Sequence, residues 1–304
     1  MSTQDEKPPT RPTPLVAPAA IAVVGLGNMG RPMAACLAKA GYRVAGFDVS
    51  SDARQAFAAA GGTAAADAKA AVATADAVIT LLPDGKIVRQ AVLGFRPHLK
   101  PGAIVIEMSS SDPIGTRELG AETIAAGFGF VDAPVSGGVR RAVNGTLAIM
   151  VGGDAATIDR VEPVLKAMGS SIFRTGSLGS GHAIKALNNY VSAAGLVATV
   201  EALAIGRKFG LDPNTIADVL NASSGKSYTT ELKLKQFIVS ETYAAGFLMR
   251  LMAKDVRTAE RLADAIDVPA PLAERVADLW DEASKTLGPA ADHTEIGRYI
   301  GKLR

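Results

Sequence analysis

Two stretches of this chain place chemistry-bearing side chains at usable spacings. The first is Gly176-Ser177-Leu178-Gly179-Ser180-Gly181-His182-Ala183-Ile184-Lys185-Ala186-Leu187-Asn188-Asn189. On a helix, Lys185 and Asn189 are four residues apart and share a face. The flanking Ile184 and Leu187 are expected to desolvate the amine and lower its pKa. A lysine so placed, just after a glycine-rich hinge, is a candidate for moving a proton. The second stretch is Asp132-Ala133-Pro134-Val135-Ser136-Gly137-Gly138. Glycines following a serine expose backbone N–H groups in a concave arrangement suited to a carboxylate.

A third motif points to a dinucleotide. Ile21-Ala22-Val23-Val24 reads as a strand, and Gly25-Leu26-Gly27-Asn28-Met29-Gly30 follows it as G-x-G-x-x-G. Gly25 permits the tight turn, Gly27 lets backbone approach a pyrophosphate, and Gly30 lets the helix pack close to the sheet. Asp48 ends the next strand and is placed to accept bonds from ribose hydroxyls. A carboxylate there repels a 2′-phosphate, and valine rather than arginine occupies position 49, so NAD is favoured over NADP. Arg54 is read as part of a solvated helix face. Leu82-Pro83 and Ser109-Ser110-Ser111 each follow a strand, where ligands of parallel sheets bind. A hydroxyl of this serine run is the candidate beside the carboxamide, and Ser111 or Asp112 the helix cap.

The elements that must carry these residues change character part-way along. From 20 to about 152, short apolar runs alternate with alanine-rich helical segments, which implies parallel βαβ units. From about His182 onward only helical signals occur, with starts such as Asp212-Pro213. The fold class is therefore an α/β Rossmann-type domain followed by an all-α domain. The expected division is a proline-rich disordered tail over 1–19, a nucleotide domain over 20–177 and a helical domain over 178–304.

Composition excludes other classes. The 304 residues carry 32 Lys plus Arg against 30 Asp plus Glu, which argues for neither a nucleic-acid nor a membrane partner. The apolar run Tyr190–Val200 is stopped by Glu201, short of the roughly 20 residues a membrane span needs. Cys36 is the single cysteine, and no Cys/His spacing suggests zinc, so no metal is expected and the setting is read as cytoplasmic.

Taken in order, G-x-G-x-x-G with Asp48, Leu82-Pro83, D-A-P-V-S-G-G, G-x-G-x-x-x-K-x-x-N-N and Leu251-Met252-Ala253-Lys254-Asp255 resemble the β-hydroxyacid dehydrogenase family over about residues 20–290. That family includes 3-hydroxyisobutyrate dehydrogenase and tartronate semialdehyde reductase. The resemblance implies a small hydroxy-acid substrate, an active site in the cleft between the domains, and a homodimer or homotetramer. It makes Lys185 the general acid/base and Asn189 a residue that helps hold the substrate. It makes Ser136, Gly137 and Gly138 the substrate-carboxylate loop. Leu82, Pro83 and Ser110 correspond to positions near the nicotinamide, and Lys254 to a lysine near cofactor or substrate. Ser110 stands where many members have threonine.

Two features depart from the pattern. Arg140-Arg141 replace small residues, and read either as a solvated loop or as a reach toward a second anionic group. Asn221–Tyr228 forms a loop able to close over substrate. His182 has no acidic neighbour in sequence and is set aside as a base; His98 and His293 are read as surface residues, and Asp255 as an ion-pair partner of Lys254. The competing readings are an imine reductase, which usually lacks such a lysine, and a catalytically silent NAD-binding module. A 6-phosphogluconate dehydrogenase would need a larger helical domain.

Overall fold

The computed structural model describes residues 13–302. Its elements run β1 (Ala20–Val24), α1 (Gly30–Lys39), β2 (Arg43–Phe47), α2 (Ser51–Ala59), β3 (Thr63–Ala64), α3 (Ala68–Val72), β4 (Ala77–Thr80), α4 (Gly85–Phe95), β5 (Ile104–Glu107), α5 (Pro113–Ala125) and β6 (Gly129–Asp132). There follow β7 (Val135–Ser136), α6 (Gly138–Asn144), β8 (Leu147–Gly152), α7 (Ala155–Lys166), β9 (Gly169–Gly176), α8 (Ser180–Phe209), α9 (Pro213–Ala222), a π-helical segment (Thr230–Val239), α10 (Met249–Ala265), α11 (Pro271–Leu287) and α12 (Ile296–Ile300). The chain divides into two compact units, and the division falls after His182, inside α8.

The first unit is built on one sheet of order β3-β2-β1-β4-β5-β6-β8-β7, with β9 beside β8. Strands β1, β4 and β5 are buried along their whole length, as strands covered on both faces must be. Side chains alternate across the sheet. Ile21, Val23, Ile79 and Ile106 join Met33 and Leu37 of α1 and Val161 of α7 on one face. Ala22, Val24, Val78 and Val105 meet Val88, Val92 and Phe95 of α4 on the other. Aspartates start the helices that leave the strand ends: Asp84 accepts from Ile87 N at 2.9 Å and Asp112 from Gly115 N at 2.7 Å.

Three details depart from the pattern expected of the sequence. β8 runs antiparallel to β6 and β7 instead of extending the parallel set. The chain between β6 and β8 is occupied by β7 and the seven-residue α6, which turn it back as a hairpin and leave no room for a crossover helix. Strands β3 and β7 have two residues each, too short to leave an alternation signal. The expected disordered tail lies outside the described residues over 1–12. Its remainder is docked: Leu15 N donates to Arg160 O at 2.7 Å, and Tyr42 Oη donates to Leu15 O at 3.1 Å. Leu15 and Ala19 pack against the sheet core, and this apolar anchorage is what a proline count does not report.

The second unit is all helical. Ala193, Leu196, Val200 and Leu203, spaced by three and four, turn one face of α8 into a core shared with Leu234, Met249, Val256, Trp280 and Ile296. Among the described residues α8 alone is long and apolar enough to cross a membrane by length and composition, yet that face is committed to the core.

Candidate active site

The glycine turn forms at the carboxyl end of β1. Gly25 has φ +104°, and a side chain there would meet Leu81 O at 2.2 Å. At Gly30 a Cβ would lie 1.9 Å from Gly25 O, so the start of α1 is pressed onto the turn. At Gly27 a Cβ would meet nothing within 4 Å, so only the missing side chain keeps this space open beside the first turn of α1. The vacancy, the free N–H groups at the helix start and the carboxylate of Asp48 suit a dinucleotide pyrophosphate and ribose. Asn28 is exposed, and Met29 packs against the core.

Asp48 does a second job. Its Oδ2 accepts from Leu26 N at 2.7 Å and its Oδ1 from Ser50 N at 2.9 Å, so it braces the glycine turn while each oxygen keeps a lone pair for a ribose hydroxyl. Arg54 corrects the expectation of a solvated helix face. Its guanidinium folds back over the Phe47 ring and donates to Asp48 O at 2.6 Å and to Val49 O at 3.2 Å. These carbonyls lie just past the end of β2, beyond the last residue paired in the sheet.

At the end of β4, Leu82 N donates to Ser109 Oγ at 2.9 Å, which ties the Leu82-Pro83 loop to the loop after β5. The hydroxyl accepting that bond belongs to Ser109. Ser109 is buried and Ser110 half-buried, and Asp112 rather than Ser111 caps α5. Beyond β6, Gly137 (φ +130°) and Gly138 (φ +67°) take conformations that favour glycine and follow directly on Ser136. Arg140 and Arg141 are both exposed, and the Arg141 stem lies where a Gly137 side chain would go, its Cδ 2.4 Å from the Cβ position.

In the second unit the geometry is a chain of side chains. Lys185 Nζ donates to Asn189 Oδ1 at 3.3 Å, and Asn189 Nδ2 donates to Asp255 Oδ2 at 2.6 Å. Asn188 Nδ2 also donates to Asn189 Oδ1, at 3.1 Å. Lys254 Nζ lies 3.6 Å from Asp255 Oδ1. Burial pulls the Lys185 ammonium below the ordinary lysine range; Asp255 pushes it back up, and Lys254 adds to the lowering. Ile184 and Leu187 are not the cause, because both are 43% exposed. Positions one and two residues away on a helix do not share a face, so they flank the lysine in sequence only.

A family model described as the NAD binding domain of 6-phosphogluconate dehydrogenase matches residues 20–176. A second, described as NAD-binding of NADP-dependent 3-hydroxyisobutyrate dehydrogenase, matches 179–300. The chain is 38% identical to the NAD-dependent L-serine dehydrogenase of Pseudomonas aeruginosa over 86% of its length and 90% of the relative's. The chain belongs to the β-hydroxyacid dehydrogenase family. It is 36% identical to 2-(hydroxymethyl)glutarate dehydrogenase of Eubacterium barkeri, over 88% of this chain and 90% of that one. The solved structure of Mycobacterium tuberculosis 3-hydroxyisobutyrate dehydrogenase with L-serine superposes with a TM-score of 0.88 at 34% identity, covering 93% of this chain and 99% of that one. An imine reductase from Myxococcus stipitatus shares the fold alone, at 18% identity and a TM-score of 0.65.

For a β-hydroxyacid dehydrogenase, three further residues of this chain were misjudged from sequence. Asp255 is more than an ion-pair partner: it is 3% exposed and holds the Asn189 amide. The signal was there, since Asp255 falls among Met252, Val256 and Ala259 on the inward stripe of α10. His293 is buried rather than superficial, edge-on to Phe247 with its Nδ1 3.3 Å from Asp292 Oδ1. His182 has two acidic partners after all, Glu107 at 2.6 Å and Asp132 at 3.6 Å, both more than 45 residues earlier in the chain.

Proposed function

We propose that this NAD-dependent oxidoreductase of hydroxy acids acts on a short β-hydroxy acid, with Lys185 exchanging the alcohol proton. The observation that carries the reading is the chain Lys185–Asn189–Asp255. When bound, NAD supplies the hydride acceptor. Lys185, with its ammonium made costly by burial, takes the hydroxyl proton on oxidation and returns it on reduction. Asp255 fixes the Asn189 amide so that its oxygen faces Lys185, which orients the amine toward substrate. The N–H groups of Ser136, Gly137 and Gly138 hold the substrate carboxylate. Leu82, Pro83 and Ser110 line the nicotinamide, and Lys254 serves the cofactor or substrate.

The substrates named for the relatives above share a hydroxymethyl group one carbon from a carboxylate, and one of them is a dicarboxylate. Arg141, whose stem covers Gly137, supports acceptance of a second anionic group beside that loop. Absorbance of the reduced nicotinamide, followed with 3-hydroxyisobutyrate, serine and 2-(hydroxymethyl)glutarate, is the test. NAD reduction with at least one of these three is expected. Tight NAD binding with no turnover on any of them would favour a silent module, and turnover of cyclic imines instead would favour an imine reductase.

The enzyme works as a homo-oligomer in this reading. Ile184, Leu187, Val191, Ile205 and Phe209 recur at steps of three, four and fourteen residues, each close to whole helical turns, along the outward face of α8, with Ile205 71% and Phe209 84% exposed. The stripe covers about 38 Å at 1.5 Å per residue. A second copy of the chain matches it best, because an antiparallel two-fold pairing buries the same residues on both partners. Light scattering is expected to report at least a dimer, and Ile205→Glu with Phe209→Glu to reduce its mass. A monomeric parent would remove this assignment. A cytoplasmic setting fits the lone thiol of Cys36, which is packed against Ala142 O at 3.3 Å.

A further inference from the structure

Three loops of the first unit converge on one buried ring. His182 Nε2 lies 2.6 Å from Glu107 Oε2, at the end of β5, and 3.1 Å from Ser109 O. His182 Nδ1 lies 3.1 Å from Thr116 Oγ1 of α5 and 3.6 Å from Asp132 Oδ2, at the end of β6. Asp132 also accepts from the backbone N–H groups of Gly179, at 2.7 Å, and His182, at 2.9 Å. The side chains of His182, Glu107 and Asp132 are at most 1% exposed.

Counting hydrogens decides the state of the ring. The one hydroxyl hydrogen of Thr116 goes to Asp112 O at 2.8 Å, so Thr116 Oγ1 can only accept from Nδ1. Nε2 is bonded to a carbonyl, Ser109 O, which can only accept, so it too must donate, with Glu107 Oε2 beside it as a charge contact. Both nitrogens carry hydrogen, and the ring is an imidazolium. The titratable groups facing it are Glu107 from β5 and Asp132 from β6; α5 presents only a hydroxyl, and α8 adds no other ionisable group. The balance of charges agrees. Burial pulls the imidazole down, yet the two carboxylates lift it above its ordinary value. Burial pushes Glu107 up, yet His182 brings it below the usual carboxylate range, whereas Asp132 stays raised by its burial.

The ring thereby joins the parts of the first unit that the proposed reaction needs in register. Glu107 also accepts from Ser109 N at 2.9 Å, and Ser109 holds the Leu82 loop. Asp132 begins the stretch that ends in Ser136-Gly137-Gly138. Three residues past His182 on the same helix is Lys185. Buried ion sets in general add little stability over apolar packing of similar volume, so a buried charge set here points to geometric definition as its role. We propose that His182, as a permanent imidazolium clamped by Glu107 and Asp132, is a positioning residue that sets the nicotinamide-side loop, the substrate-carboxylate loop and the start of α8 in one register.

The inference rests on the hydride-transfer reading for its turnover measurement only, and nitrogen NMR of the full-length, histidine-labelled protein tests it without turnover. Both ring nitrogens of His182 are expected to stay protonated above the pH at which a free imidazole titrates. A ring that loses a proton at or below that pH overturns the imidazolium. His182→Gln is expected to lower kcat by at least about tenfold while NAD affinity stays within about threefold. Parental kcat in that variant overturns the positioning role. Glu107→Gln, which keeps the shape and removes one carboxylate, covers the case of a variant that does not fold. Its ring should deprotonate as pH rises, giving in the oxidation direction a loss of activity on the alkaline side that the parent lacks. An unchanged pH profile in Glu107→Gln would likewise overturn the proposal.

Discussion

Replacing Lys185 with alanine lowers hydroxy-acid turnover by about 10²–10⁴-fold, the range a positioned acid/base contributes, and leaves the NAD dissociation constant within about twofold. The separation is expected because the two tasks lie in different parts of the chain. Every glycine of the dinucleotide turn, and Asp48, belong to the first unit, whereas Lys185 Nζ bonds only to Asn189 among the described residues. The pH profile carries the same information. For oxidation Lys185 must be neutral to accept a proton, so the rate rises with pH through its pKa. Burial places that rise below the value of about 10.4 of a free lysine. For reduction the lysine must be charged, so the rate falls with pH through the same value. Both limbs should vanish in the alanine variant. Steady-state kinetics in both directions, with NAD affinity from fluorescence titration, reads all of this. Survival of turnover with the limb intact would assign the proton to another group.

Gly27→Ala is expected to weaken NAD binding by roughly 10- to 100-fold, from about 1–3 kcal/mol of overpacking, with little change in melting temperature. Nothing in the protein lies within 4 Å of a Cβ at Gly27, so the methyl group costs the free protein little. It does occupy the space a pyrophosphate needs at the start of α1. Gly30→Ala is the internal contrast. There the Cβ would lie 1.9 Å from Gly25 O, a backbone atom that cannot swing aside, so folding stability should fall together with NAD affinity. Calorimetric titration of NAD beside thermal melting separates the two. Unchanged affinity in Gly27→Ala would remove the pyrophosphate from this turn.

Much of the site's outline was legible from residue order because its signals are local. A glycine turn must follow a strand within a few residues, and a helix brings Lys185 and Asn189 to one face by periodicity alone. Strands β1, β4 and β5 are short, largely apolar runs of four or five residues between helical stretches, and a parallel sheet covered on both faces leaves that signature. Two-residue strands such as β7 carry no alternation to read. The antiparallel return of β8 depends on β7 pairing with it, which no periodicity reports.

What local order could not disclose is which distant side chains share a charge or a hydrogen. Asp255 meets Asn189 across 66 residues, and Glu107 meets His182 across 75. Neither spacing repeats with a helix or strand period. The burial that lowers the Lys185 pKa likewise comes from packing, since its sequence neighbours Ile184 and Leu187 face outward. Sequence by itself determined the fold class, the glycine turn and the shared face of Lys185 and Asn189, because apolar runs, turns and helix periodicity are each encoded within one or two turns of chain. Tertiary structure decided which carboxylate orients Asn189, that Ser109 ties the Leu82 loop to the loop after β5, and which two carboxylates surround His182. Burial and proton count depend on every element that reaches a point in space, and adjacency in sequence does not record them.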